Sequence, residues 1–163
     1  MLGNLGYVEL SRGDPGSARS YLAESLDIFR ALDDRPGVVY ETFNLSLAEY
    51  LSGSPNAAEG LFAESFDLAR RARMKPSSAY ALIGLAMTGG EADPRRSARL
   101  HGAADQAMAI LGETIVPLED RLRDLDRQRL RAAMGAEAFQ AEYAAGRSLT
   151  AEQVVELALA DRA

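Results

Sequence analysis

The sequence predicts an all-α fold, arranged as a right-handed solenoid of helical hairpins with a helical cap at its C-terminal end. Three observations lead to this prediction. The six prolines recur at intervals of 18 to 23 residues, the segments between them place apolar and small residues at helical spacing, and residues 4–30 are repeated at residues 44–70. No segment shows the sustained period of two that is typical of strands.

The prolines predict where the helices begin. Proline is tolerated in the first turn of a helix, because the N–H it lacks has no partner there. Three of the prolines directly follow a residue that caps helices well, in Asp14-Pro15, Ser54-Pro55 and Asp93-Pro94. Each interval therefore predicts one helix and one short turn, and consecutive helices joined in this way form antiparallel hairpins.

The repeat has a period of 40 residues. Eleven of the 27 aligned positions are identical between residues 4–30 and 44–70. Five of these identities fall in the segment LAESLDIFR of the first copy, which aligns with FAESFDLAR in the second. A weaker third copy follows after another 40 residues, with Ala98 at the place of Ala18 and Ala58. A small residue at this place lets the backbones of two helices approach closely.

These copies resemble the tetratricopeptide repeat, a helical hairpin whose motif has Leu-Gly in the first helix, Gly at the turn and Ala in the second. Leu5-Gly6, Gly13-Asp14 and Ala18 match it in the first copy, and Leu45, Gly53 and Ala58 match it in the second. Ser46 departs from the motif, and the period exceeds the usual length of about 34 residues. The resemblance implies stacked hairpins that bind proteins or peptides.

The period divides the chain into two regions. Residues 1–114 are predicted to hold about three hairpins, at 1–34, 35–74 and 75–114, and residues 115–163 to form the capping helices. The first hairpin is predicted to be truncated by comparison with the second, so we expect either an upstream region in the native gene product or an oligomer that covers the exposed face.

The tail is predicted to contain three further helices. Residues 118–134 form a charged helix with Leu118, Leu122, Leu125 and Met134 on its apolar side, Gly135 and Gly146 bound a short helix, and Thr150 and Gln153 form a capping box. Residues 98–112 and 135–160 resemble the C-terminal segment of large bacterial regulators of the LuxR type and related ATPase-containing proteins. That resemblance implies a part in a bacterial transcriptional regulator.

Composition excludes several classes of function. The formal net charge is −6, so the chain as a whole is not expected to bind nucleic acid or an anionic membrane. There is no cysteine, which excludes disulfides and cysteine-ligated metals. The sequence has neither a signal-peptide pattern nor a run long enough to span a membrane, and a cytoplasmic location is predicted.

No catalytic or cofactor-binding constellation is recognised. The carboxylates around Asp120 and Asp126 alternate with arginines, which is typical of a solvated, ion-paired helix face rather than a metal site. His101 is the single histidine and is predicted to be a partly exposed helix residue. The basic run from Arg70 to Lys75 suits a helix C-terminus. The prediction is therefore a protein that is not an enzyme and needs no cofactor or metal.

Binding is the remaining function. The first helices of the hairpins are expected to line a concave face, and tyrosine, phenylalanine and asparagine there suit contact with an extended peptide. The predicted peptide-binding or protein-binding residues are Asn4, Tyr7, Tyr40, Phe43, Asn44, Leu47, Tyr50, Tyr80, Ile83 and Met87. Two alternatives stay open. One is self-association into a homo-oligomer, and the other is an enzyme on a helical scaffold with a pocket near His101 or the tail carboxylates.

Overall fold

A computed structural model describes residues 1–160, and this part of the chain is all-α, with no strand. Its helices are α1 (Leu2–Arg12), α2 (Pro15–Ala31), α3 (Arg35–Leu51), α4 (Pro55–Arg71), α5 (Lys75–Thr88), α6 (Pro94–Leu111), α7 (Pro117–Met134), α8 (Ala136–Arg147) and α9 (Ala151–Leu159). The predicted fold class is thereby confirmed as an all-α helical repeat. None of these helices is long and apolar enough to cross a membrane.

The chain divides into two compact units. The N-terminal unit is Met1–Ala81 and the C-terminal unit is Leu82–Ala163, with the boundary inside α5.

The predicted helix starts are confirmed, although the Ser54 side chain makes no capping hydrogen bond. Four of the prolines occupy the first position of a helix: Pro15, Pro55, Pro94 and Pro117. The other two, Pro36 and Pro76, occupy the second position. The side chains of Asp14, Asp34 and Asp93 each accept a hydrogen bond from a backbone N–H in the first turn. These caps satisfy donors that the helix itself leaves without partners.

In the N-terminal unit, α1 packs against α2 and α3, α2 packs against α3, and α3 packs against α4. Ala18 and Ala58 are fully buried at equivalent places in α2 and α4, as the repeat predicts. Gly6 of α1 lies against Leu22, and a Cβ atom there would come within 2.5 Å of the Leu22 side chain. Small residues thus set the close spacing of α1 and α2.

In the C-terminal unit, α6 packs against α7, α8 and α9. Ala98, Leu130 and Phe139 form its buried cluster, with Met134 and Tyr143 packed against them. The predicted capping box at Thr150 and Gln153 is present at the start of α9.

Two predictions for the tail are wrong. Leu125 was expected on the apolar side of α7, but it is 57% exposed, and Leu130 is buried instead. The buried stripe of α7 runs through Leu122, Asp126 and Leu130 at steps of four, so a carboxylate occupies a place that the apolar pattern assigned to leucine. Gly146 does not end α8, which continues to Arg147.

The buried glycines of α6 and α8 explain why Gly146 lies within the helix. A Cβ atom on Gly146 would come within 2.0 Å of the Arg99 carbonyl oxygen, and one on Gly102 within 2.0 Å of the Tyr143 carbonyl oxygen. Glycine at both positions therefore allows the two backbones to touch.

Candidate functional site

A cavity of about 520 Å³ opens between α1 and α3 in the N-terminal unit. It is lined by Gly3, Asn4, Tyr7 and Val8 of α1, by Phe29 of α2, and by Gly37, Tyr40, Glu41 and Asn44 of α3. Four of the predicted binding residues, Asn4, Tyr7, Tyr40 and Asn44, are therefore brought together at one place.

Helix geometry explains how these four side chains converge. Asn4 and Tyr7 are three residues apart on α1, and Tyr40 and Asn44 are four residues apart on α3, so each pair lies on one face of its helix. Because α1 packs against α3, the two faces border the same cavity. Tyr40 remains 56% exposed, which leaves much of its side chain open to a ligand.

Glu41 is a lining residue that the sequence analysis missed. It is only 6% exposed, and its Oε1 accepts a hydrogen bond from Ser25 Oγ at 3.2 Å. Its Oε2 is buried and has no hydrogen-bond partner. Desolvation on burial raises the pKa of Glu41 above its ordinary value, and the side chains of Ser25 and Asn44 and the charge of the Met1 amino group oppose this rise. A single carboxylate within the apolar run VVYETFNL was the available signal.

Two glycines make room for the cavity and its carboxylate. A Cβ atom on Gly3 would lie 1.7 Å from Glu41 Oε1, and one on Gly37 would lie 2.2 Å from the Phe29 ring. Gly3 therefore packs against the whole carboxylate of Glu41, whereas Gly37 lets α3 approach the end of α2.

The other four predicted residues of the N-terminal unit, Phe43, Leu47, Tyr50 and Tyr80, lie away from this cavity. Phe43 contacts Phe62 and Tyr80, with ring centroids 5.6 and 5.8 Å apart respectively, and these rings form an aromatic cluster inside the unit. Leu47 is fully buried in the core, so its prediction as a surface residue is corrected. Tyr50 is half-buried on α3.

Ile83 and Met87 belong to the C-terminal unit and are also buried. Their assignment to an open binding face is corrected for the same reason. In the first helix of a hairpin, the apolar side chains pack into the core, and only polar and tyrosine side chains remain at a surface.

The C-terminal unit contains a buried polar pair that joins α6 to α7. His101 is 0% exposed, which contradicts the predicted partial exposure, and its Nε2 lies 2.8 Å from Asp126 Oδ2. Arg129 donates to the other carboxylate oxygen of Asp126 at 2.7 Å. The hydrogen-bond partner Asp126 on α7 explains how a histidine can be buried in α6. The sequence of α6 alone does not indicate this partner.

A second polar group lies one turn further along α6. Asp105 accepts a hydrogen bond from Tyr143 Oη at 2.6 Å and forms ion pairs with Arg123 and Arg127. Desolvation would raise the pKa of Asp105, but the Tyr143 hydroxyl and the two arginines outweigh it and hold that pKa below its ordinary value. The predicted ion-paired face of α7 is thus partly turned inward, against α6.

These groups hold helices together and do not form an open site. His101 and Asp126 are both enclosed, so neither offers an atom to a substrate from solvent. Within residues 1–160, no group of three or more histidine, aspartate or glutamate side chains could hold a metal ion. The basic run begins at the end of α4, where Arg70 and Arg71 both pair with Asp67 at 2.7 Å.

Comparison with known proteins identifies the repeat. Residues 1–71 match the family model of the tetratricopeptide repeat, which covers α1 to α4. This match confirms the resemblance noted for the first two copies and supports a tetratricopeptide-like domain in that part of the chain. Searches of curated proteins and of solved structures gave no significant match.

Proposed function

We propose that this chain is a non-catalytic module that binds a peptide, or an extended segment of another protein, in the cavity between α1 and α3. Tetratricopeptide repeats generally mediate protein–protein interaction, and their fold is typically non-catalytic. The observation that carries the proposal is the grouping of two tyrosines and two asparagines around one open cavity.

The chemistry of these side chains suits an extended peptide. The amide of Asn4 or Asn44 can both donate to a peptide carbonyl and accept from a peptide N–H. Tyr7 and Tyr40 offer large, rigid contact areas, and tyrosine is enriched among residues that dominate binding energies. The cavity volume lies within the range of about 300–1,000 Å³ that is usual for ligand sites.

The same proposal extends to the biological context. We place the module in the cytoplasm, as the interaction and regulatory part of a bacterial transcriptional or signalling regulator. The support for this context is the resemblance of residues 98–112 and 135–160 to the C-terminal segment of LuxR-type regulators. In such a protein, peptide binding by the N-terminal unit would regulate activities carried by other domains.

Self-association is a second candidate, favoured by the apolar surface of α1. Leu5 and Val8 are 48% and 42% exposed on this helix. A second copy of the chain could cover them. Light scattering across a range of concentrations separates the two candidates, since a strict monomer at high concentration excludes self-association.

Selection from a display library of 12-residue peptides tests the peptide-binding function. We expect the chain to enrich defined peptides, and Tyr40→Ala to weaken their binding at least tenfold, because the exposed ring is lost from the cavity wall. Tyr21→Ala is the matched control, since Tyr21 is also exposed but lies on α2, outside the cavity lining. Equal binding by the wild type and a folded Tyr40→Ala variant would contradict the proposal.

A further inference from the structure

The cavity between α1 and α3 has an acidic floor. Among its lining residues, Glu41 is the one charged side chain, and the others are tyrosine, asparagine, glycine, valine and phenylalanine. A ligand that enters therefore meets a carboxylate within aromatic and amide walls.

Glu41 has no cationic side chain as its partner in the part of the chain that the structure describes. Ser25 donates to Oε1 and the neighbouring Asn44 side chain also favours the charged carboxylate, but Oε2 has no hydrogen bond, and no arginine, lysine or histidine among residues 1–160 forms an ion pair with Glu41. The amino group of Met1 acts on it only as a nearby charge. A buried carboxylate without a cation is costly, and a cation supplied by a ligand would remove this cost.

The shape of the site favours an ammonium group over a guanidinium group. Gly3 packs against both carboxylate oxygens and Oε1 already accepts from Ser25, so Oε2, buried but without a hydrogen bond, is the oxygen left for a ligand. Arginine binds carboxylates best through two parallel hydrogen bonds, which require both oxygens. The ammonium of lysine is a compact charge with three donors, for which Oε2 and the carbonyl oxygens of Asn4 and Asn44 are acceptors. Tyrosine rings also attract a cation at their faces.

We infer that the cavity selects peptides carrying a lysine, whose side chain enters between α1 and α3 and pairs with Glu41 Oε2. The inference rests on the proposed peptide-binding function and adds its specificity. The acidic chain, with a net charge of −6, also favours approach of a basic segment.

The test uses the peptides that the full chain selects from the display library. We expect the selected sequences to share one lysine, and replacement of that lysine by norleucine to weaken binding at least tenfold. Glu41→Gln should weaken binding of the lysine peptide by a similar factor and leave the norleucine peptide unaffected. Lysine-to-arginine replacement should also weaken binding, since only one carboxylate oxygen is available.

Two controls keep the result interpretable. Glu24→Gln makes the same change of charge on the exposed surface of α2 and should leave binding unchanged. Glu41→Gln should fold at least as stably as the wild type at neutral pH, because the raised pKa of Glu41 means that its buried charge destabilises the folded state, and a neutral amide carries no such charge.

The outcomes separate the inference from the function on which it rests. Peptides that lose affinity with Tyr40→Ala but show no lysine, or bind Glu41→Gln as well as the wild type, would overturn the lysine inference alone. Failure to select any peptide would overturn both. A shared lysine with loss of binding in Glu41→Gln, but not in Glu24→Gln, would support both.

Discussion

Glu41 is a buried carboxylate whose negative charge is not balanced by a cationic side chain among the described residues of the same chain. The carboxylate is packed beneath Gly3 and accepts one hydrogen bond from Ser25, yet its second oxygen is unsatisfied. Buried polar atoms are nearly always paired, so the unpaired oxygen at a cavity wall needs an explanation. Glu41 is therefore the residue that gives the cavity its proposed specificity for lysine.

At His101 the burial is complete, and stability should depend on pH. Desolvation lowers the pKa of His101 below its ordinary value of 6.5, and Asp126 opposes this effect. The unfolded chain then binds the proton more readily than the folded chain does. Stability is thus fully present above pH 6.5 and is lost as the pH falls toward the lower pKa of the folded state.

Denaturant unfolding between pH 8 and pH 5 should show this loss, with a slope of at most about 1.4 kcal/mol per pH unit. His101→Gln can still donate to Asp126 and does not titrate, so its slope over this range should be smaller. Charged groups near the imidazole (Asp105, Asp126, Arg127) remain in the variant. Equal slopes for the wild type and His101→Gln would refute this role.

Polar residues were the hardest to place from the sequence. His101, Asp126 and Glu41 were missed or assigned to a surface, because a histidine or carboxylate within a helix normally faces solvent. Their burial depends on partners on another helix, and the spacing of residues along one helix does not predict those partners. Tyr40 and Asn44, in contrast, share a helix face by spacing alone, so their convergence could be predicted.

At the scale of elements, local chemistry made prediction accurate. Asp14 and Asp93 cap their own helices within three residues, and the prolines that follow fix the first turn. These interactions need no knowledge of the tertiary fold. The contact of α6 with α8 does need it, because the significance of Gly102 and Gly146 emerges only when the two helices are known to cross there.

Substitution at this crossing should destabilise the C-terminal unit. Gly102→Ala would place a Cβ atom 2.0 Å from the Tyr143 carbonyl oxygen, so α6 and α8 must separate. We expect a loss of about 2 kcal/mol or more in the free energy of unfolding, measured by denaturant titration. Ala141→Ser, on the exposed surface of α8, should change it by less than about 0.5 kcal/mol. A Gly102→Ala variant as stable as the wild type would show that the helices do not pack this closely.

At the scale of the molecule, the two units differ in what they offer. The N-terminal unit contains the residues that match the tetratricopeptide repeat, together with the cavity and its unsatisfied carboxylate. In the C-terminal unit, His101 and Asp105 pair with side chains of α7 and α8, although His101 Nδ1 and the Nε atoms of Arg123 and Arg127 have no hydrogen bond within residues 1–160. We therefore propose that recognition belongs to the N-terminal unit.

Nuclear magnetic resonance titration of the isotope-labelled chain with a library-selected peptide tests this proposal most directly. We predict that the largest backbone and side-chain shifts cluster at Asn4, Tyr7, Tyr40, Glu41 and Asn44, with small changes in α7 to α9. Largest shifts within the C-terminal unit, or shifts that leave α1 and α3 unaffected, would contradict a binding site between these two helices.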